Sequence, residues 1–357
     1  MARAELVVDR LVATGFIRPS VLWRGLQHSR PSFSHWGVGW LIGLSGLLVE
    51  PLAWLQSCLY AQRLRRVQLP DDPIVIIGHW RSGTTYLHQL LASDPAVATA
   101  RNTLTMAPQV ALLLQPWIAP LMKAWMTRVR PIDAVPWGPD DPQEDELGLA
   151  RLTFDTNMGG MAFPRDYLAN FRRHVLETST AYERQWLTFC RLTWLHDGAG
   201  KSHWLIKNSV HTARVRLVLK HFPRARFVLL RRSPVDSIRS LVQVKQRLGA
   251  LVGLQPLPDP PTQVEETATA HRELLEAFEA SRHLIPAQQL LELDYDDLIS
   301  QPLQAVEGIY TRFGLTSWPV AEAPIKARID RARSYTADPV QLPPLAERRL
   351  QELMKAS

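Results

Sequence analysis

The chain has 357 residues, 46% of them hydrophobic, enough for one large α/β domain with extras or for two small domains. Its net charge of +7 fits nucleic acid, an anionic membrane surface or a polyanionic small molecule. No long Lys/Arg run is present, which ranks a small anionic ligand above nucleic acid, and Cys58 and Cys190 lack metal or redox spacing and read as free thiols in a reducing, cytoplasmic compartment.

Glu5 and Asp9 interrupt the apolar core that a signal peptide needs, so the first residues are not read as one. Residues 36–49 are uncharged, but this run is shorter than the ~20 residues of a spanning helix. Extending it to Tyr60 would carry Glu50 and Pro51 into a bilayer. Gly39 and Gly43 have the spacing of close helix packing, so the expectation is an apolar helix docked on the domain. Peripheral membrane contact through Trp36, Trp40 and Trp54, within residues 36–60, stands as the alternative. Residues 1–69 read as a mainly helical N-terminal extension ending in Arg63, Arg65 and Arg66, and residues 70–357 as the main domain.

A strand is expected at 74–77 and a helix at about 83–93. Residues 104–142 are rich in Pro and Trp and read as mixed helix and loop. A helix at 180–196, a strand at 204–206, a helix at 210–221, a strand at 226–230 and a helix at 234–247 follow. The segment 249–262 carries prolines and glycines and reads as a loop or lid. A helix at 263–282, a strand at 289–293 and a helix at 302–313 complete the pattern. Strands alternating with helices predict a mainly parallel sheet covered on both faces, a P-loop-like three-layer α/β sandwich.

The first strand runs directly into Gly78-His79-Trp80-Arg81-Ser82-Gly83-Thr84-Thr85. Strand, tight glycine loop and helix make a phosphate cradle from backbone N–H groups and a helix N-terminus. The Lys that a nucleoside-triphosphate loop places after its second Gly is replaced by Thr84, and a cation stands earlier, at Arg81. That argues against an ATPase or kinase and for another phosphorylated donor. After the strand at 226–230 comes Arg231-Arg232-Ser233-Pro234-Val235-Asp236-Ser237-Ile238-Arg239-Ser240, with Pro234 suited to a first helical turn. An Arg at a strand's carboxyl end and a hydroxyl two turns into the helix would grip a second anionic group, away from the first loop.

The G-x-x-R-S-G-T-T loop followed by R-x-P-x-D-x-x-x-S resembles the nucleotide-binding pair of the sulfotransferases. Leu205-Ile206-Lys207-Asn208-Ser209-Val210-His211 is similar to their strand-Lys segment, Tyr295-Asp296-Asp297-Leu298 with Pro302 to their Y-E-D-L segment, and Pro142-Gln143-Glu144-Asp145-Glu146 to an acidic stretch of a bacterial branch. The resemblance covers about residues 72–318. It implies transfer of a sulfuryl group from 3′-phosphoadenosine 5′-phosphosulfate to a hydroxyl, without a metal. It also implies that Gly78, Arg81, Ser82, Gly83, Thr84 and Thr85 serve the 5′-phosphosulfate, Arg232 and Ser240 the 3′-phosphate, and Tyr295 the adenine. Such chemistry rests on positioning and cationic stabilisation, for which Arg81 and Lys207 are the candidates.

A general base must accept the acceptor's proton. Ser209 stands where several sulfotransferases carry a His, and Arg101 and Asn102 occupy the region where another branch carries a Glu. Glu144 and His211 remain as candidates, with His79 third. Trp117, Trp125, Trp137 and the 249–262 segment suggest an apolar acceptor site for a small-molecule or lipid alcohol. A P-loop small-molecule kinase and a non-catalytic nucleotide-binding or membrane-associated protein are the alternatives.

Overall fold

The structure, a computed structural model, describes residue 10 and residues 14–126, 137–333 and 340–356. Glu5 and Asp9 lie outside them, as does the side chain of Trp125. In chain order the elements are α1 (Pro19–His28), α2 (Trp36–Arg66), β1 (Ile74–Ile77), α3 (Thr84–Leu91), β2 (Val97–Thr99), α4 (Asn102–Thr105) and α5 (Gln115–Trp125). They continue with α6 (Asp145–Leu149), α7 (Met158–Ala162), α8 (Tyr167–Phe171), α9 (Thr180–Asp197), β3 (His203–Lys207), α10 (Val215–His221), β4 (Arg226–Arg231), α11 (Pro234–Val252) and α12 (Pro260–Arg282). The last are β5 (Leu290–Asp294), α13 (Tyr295–Ser300), α14 (Pro302–Phe313), α15 (Trp318–Arg333) and α16 (Pro344–Ala356).

Among the described residues the strands form one sheet in the order β2-β3-β1-β4-β5, parallel throughout. Every residue of β1 is buried, because Ile-Val-Ile-Ile sends apolar side chains to both faces of a covered sheet. Val75 and Ile77 join Trp186 and Phe189 of α9 in one core; Ile74 and Ile76 join Leu87 and Leu90 of α3, and Val306 and Ile309 of α14, in the other. The three-layer α/β architecture is therefore present. β1 lies at the centre, and the chain moves to one side for β2 and β3 and to the other for β4 and β5. The carboxyl ends of β1, β3 and β4 thus meet at the switch point where such sheets bind ligands.

Three local expectations change. The three-residue β2 was not foreseen; Val97-Ala98-Thr99 is too short for a period and is drawn into the edge by Ala98 pairing with Trp204. The helix expected at 210–221 splits into a tight 3₁₀ turn at Ser209–Thr212 and α10, because Arg214 leaves helical geometry between them. The 249–262 segment is no free lid. Helix α11 runs on to Val252, Leu254 is buried beside Val38 and Ile42 of α2, and the Gln255 amide donates to Arg30 O and Asp166 Oδ2, both at 3.0 Å. Pro260 and Pro261 open α12 instead of extending a loop, with Asp259 accepting from Thr262 N at 3.0 Å.

The N-terminal helices lie against the segment that follows α4. Gln56 in α2 donates to Pro108 O at 2.9 Å and accepts from Leu112 N and Leu113 N at 2.8 and 3.1 Å. Arg18 grips Glu50 with two bonds of 2.9 Å. Gly46 permits the close approach: a Cβ there would sit 2.1 Å from Ile17 O.

Candidate active site

The loop after β1 needs unusual backbone angles. Gly78, Arg81 and Gly83 have φ of +134°, +69° and +94°. A side chain at Gly78 would strike Leu230 O at 2.5 Å, and one at Gly83 the Tyr295 ring at 2.6 Å. The Gly78 N–H donates to Thr212 Oγ1 at 2.8 Å, and the Ser82 hydroxyl donates to His79 O at 2.7 Å. Gly83 caps α3, whose first residues are Thr84, buried, and Thr85, half-buried. The positive end of that helix and its free N–H groups face whatever the loop holds.

Two half-sites that looked separate in the sequence meet. Arg81 Nε donates to Ser240 Oγ at 2.9 Å, joining the β1 loop to α11. Arg232 NH1 donates to Arg81 O at 2.8 Å, and its guanidinium lies 4.2 Å from the centroid of the Tyr295 ring. Arg231, its neighbour, points away and pairs with Glu292 at 2.6 Å. The alternation of an extended chain separates the two guanidiniums. Arg81, Arg232, Ser240 and Tyr295 are therefore joined around the loop, with the Tyr295 ring packed against Gly83.

At the end of β3, Lys207 Nζ donates to Glu144 Oε2 at 2.6 Å. Glu144 Oε1 also accepts from Ser209 N at 3.2 Å. The Lys207 side chain is 4% exposed and that of Glu144 17%, so this pair is largely desolvated yet open on the carboxylate side. Glu144 ends the loop before α6, and Gln143 steadies it: Gln143 Oε1 accepts from Glu144 N at 2.9 Å and its amide donates to Asn102 Oδ1 at 2.9 Å.

The three consecutive acids have three different fates. Asp145 is buried, and burial, with repulsion from Glu144 and Glu146, pushes its carboxyl well above the usual range despite Lys207. Glu146 is also buried and raised, mainly by desolvation, and accepts from Asn208 Nδ2 at 2.9 Å and from Asn157 N. Only Glu144 meets a lysine at a strand end. The acidic stretch 142–146 is thus no solvated loop: Gln143, Asp145 and Glu146 are buried.

The histidine candidates are placed differently. His211 is fully buried against Trp186, with ring centroids 5.1 Å apart, and burial together with Arg214 depresses its pKa to about 3. An acceptor cannot approach a ring enclosed in this way, which corrects the expectation that His211 competes for the role of base. His79 bonds through Nδ1 to Trp80 O at 2.7 Å and packs 4.2 Å from His271, and burial holds it well below the ordinary imidazole range. His271 is lowered to about 4 by burial.

Of the expected acceptor-site aromatics, Trp117 projects from α5 and Trp137 packs against Met106, Ile118 and Met122; Trp125 lies outside the described side chains. The supporting roles of Thr212, Gln143 and Asn102 were missed, because hydrogen bonds between residues far apart in sequence leave no local signal. Among the described residues no cluster of His, Cys, Asp or Glu has metal-ligand geometry.

A strand-end glycine loop at the switch point of a parallel sheet, with Thr84 where a triphosphate loop has lysine and the cation Arg81 inside the loop, is the arrangement of a P-loop-like fold. The Sulfotransferase family profile matches residues 73–319, and the chain belongs to that family. It is 25% identical over 311 residues to the omega-hydroxy-beta-dihydromenaquinone-9 sulfotransferases of Mycobacterium bovis and Mycobacterium tuberculosis, covering 85% of this chain and 77% of each relative. Its fold is similar to that of the sulfotransferase STF9 of Mycobacterium avium, at 16% identity and a TM-score of 0.66, over 96% of this chain and 95% of the other. The sulfotransferase STF1 of Mycobacterium tuberculosis gives a TM-score of 0.63 at 18% identity, over 95% and 94% of the two chains. The protein is a sulfotransferase, and its family generally draws the sulfuryl group from 3′-phosphoadenosine 5′-phosphosulfate.

Proposed function

We propose that this enzyme sulfates the hydroxyl of a lipid alcohol on the cytoplasmic side of a membrane. The observation that carries the chemistry is the Lys207–Glu144 pair beside the phosphate loop. In this reading Glu144 takes the acceptor's proton as its oxygen bonds to sulfur. The sulfur–oxygen bond to the 5′-phosphate breaks, and Lys207 and Arg81 stabilise the negative charge left on that oxygen. Thr84, Thr85, Ser82 and the loop N–H groups hold the 5′ end, while Arg232 and Ser240 hold the 3′-phosphate and Tyr295 the adenine. The Tyr295 ring and the adjoining Arg81 and Arg232 guanidiniums support a nucleotide carrying phosphate at both ends.

The lipid assignment draws on the mycobacterial relatives, whose named acceptor is a hydroxylated menaquinone. The exposed free thiol of Cys58 agrees with a reducing compartment. Labelled donor incubated with detergent-dispersed isoprenoid alcohols, with short polar alcohols and with chelator present tests both parts. Transfer to the long-chain alcohols without divalent metal is expected. Exclusive transfer to polar alcohols overturns the lipid assignment, and a strict need for Mg²⁺ or a preference for ATP overturns the donor assignment.

A further inference from the structure

Helix α2 is inverted relative to a helix of a soluble core. The stripe it buries is Val38, Ile42, Ser45, Gly46, Val49, Ala53 and Gln56, which is largely small or polar. The stripe it turns outward holds its bulkiest apolar side chains: Trp40 is 66% exposed, Leu48 79% and Trp54 68%. Between α1 and α2 the surface opens into an apolar groove of about 210 Å³ lined by Leu22, Trp23, Leu26, Trp36, Trp40 and Leu44. Gly39 and Gly43 form part of the same groove, and no atom lies closer than 3.4 Å to a Cβ built at either. Contiguous apolar surface of this kind marks an interaction site.

Charge at the edges of this face says what covers it. From residue 10 to residue 70 the chain holds seven arginines and one acid, Glu50, which Arg18 neutralises. Arg63, Arg65 and Arg66 are exposed at one end of α2, and Arg24 and Arg30 are exposed beside the groove toward the other. Two copies of the chain pairing through this face would bring arginines against arginines, whether the helices ran parallel or antiparallel. An anionic surface meets the same charges favourably. Indoles beside apolar side chains and a rim of guanidiniums suit the headgroup boundary of a bilayer.

We propose that α2 and the α1–α2 groove dock this enzyme on the surface of an anionic lipid bilayer. The helix lies in the plane of the interface and does not cross. Its 31 residues are long enough to span, but Gln56 is held by three hydrogen bonds to the 108–113 segment and Glu50 by Arg18, so one whole side belongs to the domain. The exposed groove gives a lipid chain a slot beside the indoles. Segment 107–114, on which α2 rests, runs on from α4, and α4 is joined through Asn102 and Gln143 to the backbone of Glu144.

The full chain, mixed with vesicles of phosphatidylcholine alone and of phosphatidylcholine with phosphatidylserine, tests this without any acceptor present. Pelleting with the anionic vesicles is expected, with tryptophan emission quenched by lipids brominated in the acyl chain. Replacing Trp40, Leu44 and Trp54 with Ser should lower binding at least about tenfold while unfolding temperature without lipid stays unchanged, since these side chains face outward. Replacing Arg63, Arg65 and Arg66 with Gln should cost about a hundredfold on anionic vesicles, following the worth of each cation near such a surface, and little on neutral ones. Absence of the wild type from both pellets overturns the proposal. So does a lipid-independent dimer in sedimentation velocity that the serine variants dissociate, because a second copy would then cover the face. Because these vesicles carry no sulfatable hydroxyl, failure here is distinguishable from failure of the lipid-acceptor assignment.

Discussion

The donor crevice and the α1–α2 layer treat their difficult residues in opposite ways. In the crevice, charges are withdrawn from water and matched: Lys207 with Glu144, Arg81 with Ser240, Arg232 with Arg81 O and the Tyr295 ring. In the layer, apolar side chains stand in the open while the small and polar ones are buried. In the proposed function and docking each arrangement receives a second component, a polyanionic nucleotide in one place and a lipid surface in the other. Substitutions in the crevice should therefore read out in chemistry and nucleotide affinity. Outward substitutions in the layer should leave the free protein almost untouched.

The largest expected effect is at Glu144. Glu144→Gln keeps an acceptor for Lys207 but removes basicity, so kcat should fall about 10²–10⁴-fold with donor affinity near wild type. Single-turnover kinetics and calorimetry separate the two. His211→Leu should cost far less turnover; the reverse order would return the base to His211.

Arg232→Ala should weaken binding of adenosine 3′,5′-bisphosphate by about 1.5–3 kcal/mol, the range for a hydrogen bond to a charged group. The loss should shrink strongly for the ligand without the 3′-phosphate. An equal loss for both would mean that Arg232 acts by holding Arg81 O and Tyr295 in place.

Acid should weaken the fold through its buried imidazoles. His211 and His271 titrate near 3 and 4 in the folded chain and near 6.5 when unfolded. As pH falls below 6.5 the unfolded state takes up protons that the folded state refuses, so stability drops by about 1.4 kcal/mol per pH unit per histidine. This loss levels off near pH 4 for His271 and near 3 for His211. Urea midpoints at a series of pH values would show the slope, and His211→Leu should flatten it.

The smallest effect sharpens the contrast within α2 itself. Trp54→Ser, on the open face, should change stability by less than about 0.5 kcal/mol. Gly46→Val, on the buried face, should cost at least about 1–3 kcal/mol, because its Cβ meets a backbone carbonyl instead of a yielding side chain. Comparable thermal shifts for the two variants would mean that the outward stripe is packed in solution.

Local chemistry made much of the crevice legible. A buried strand followed by Gly-x-x-x-x-Gly, and an Arg-x-Pro after another strand, are rules about backbone angles and helix starts, so the sequence by itself determined the phosphate loop, the parallel α/β plan and the two motifs. It also marked 36–49 as apolar. It could not say which way that helix turns its indoles, because a stripe that is apolar all round carries no direction. It named Glu144 as a candidate base but held no physical reason to separate it from Asp145 and Glu146, its neighbours in sequence, which differ in what the fold sets against each: Lys207 for the first, burial for the second, Asn208 for the third. Burial and charge pairing are properties of contacts between distant segments, and only the tertiary structure decided them.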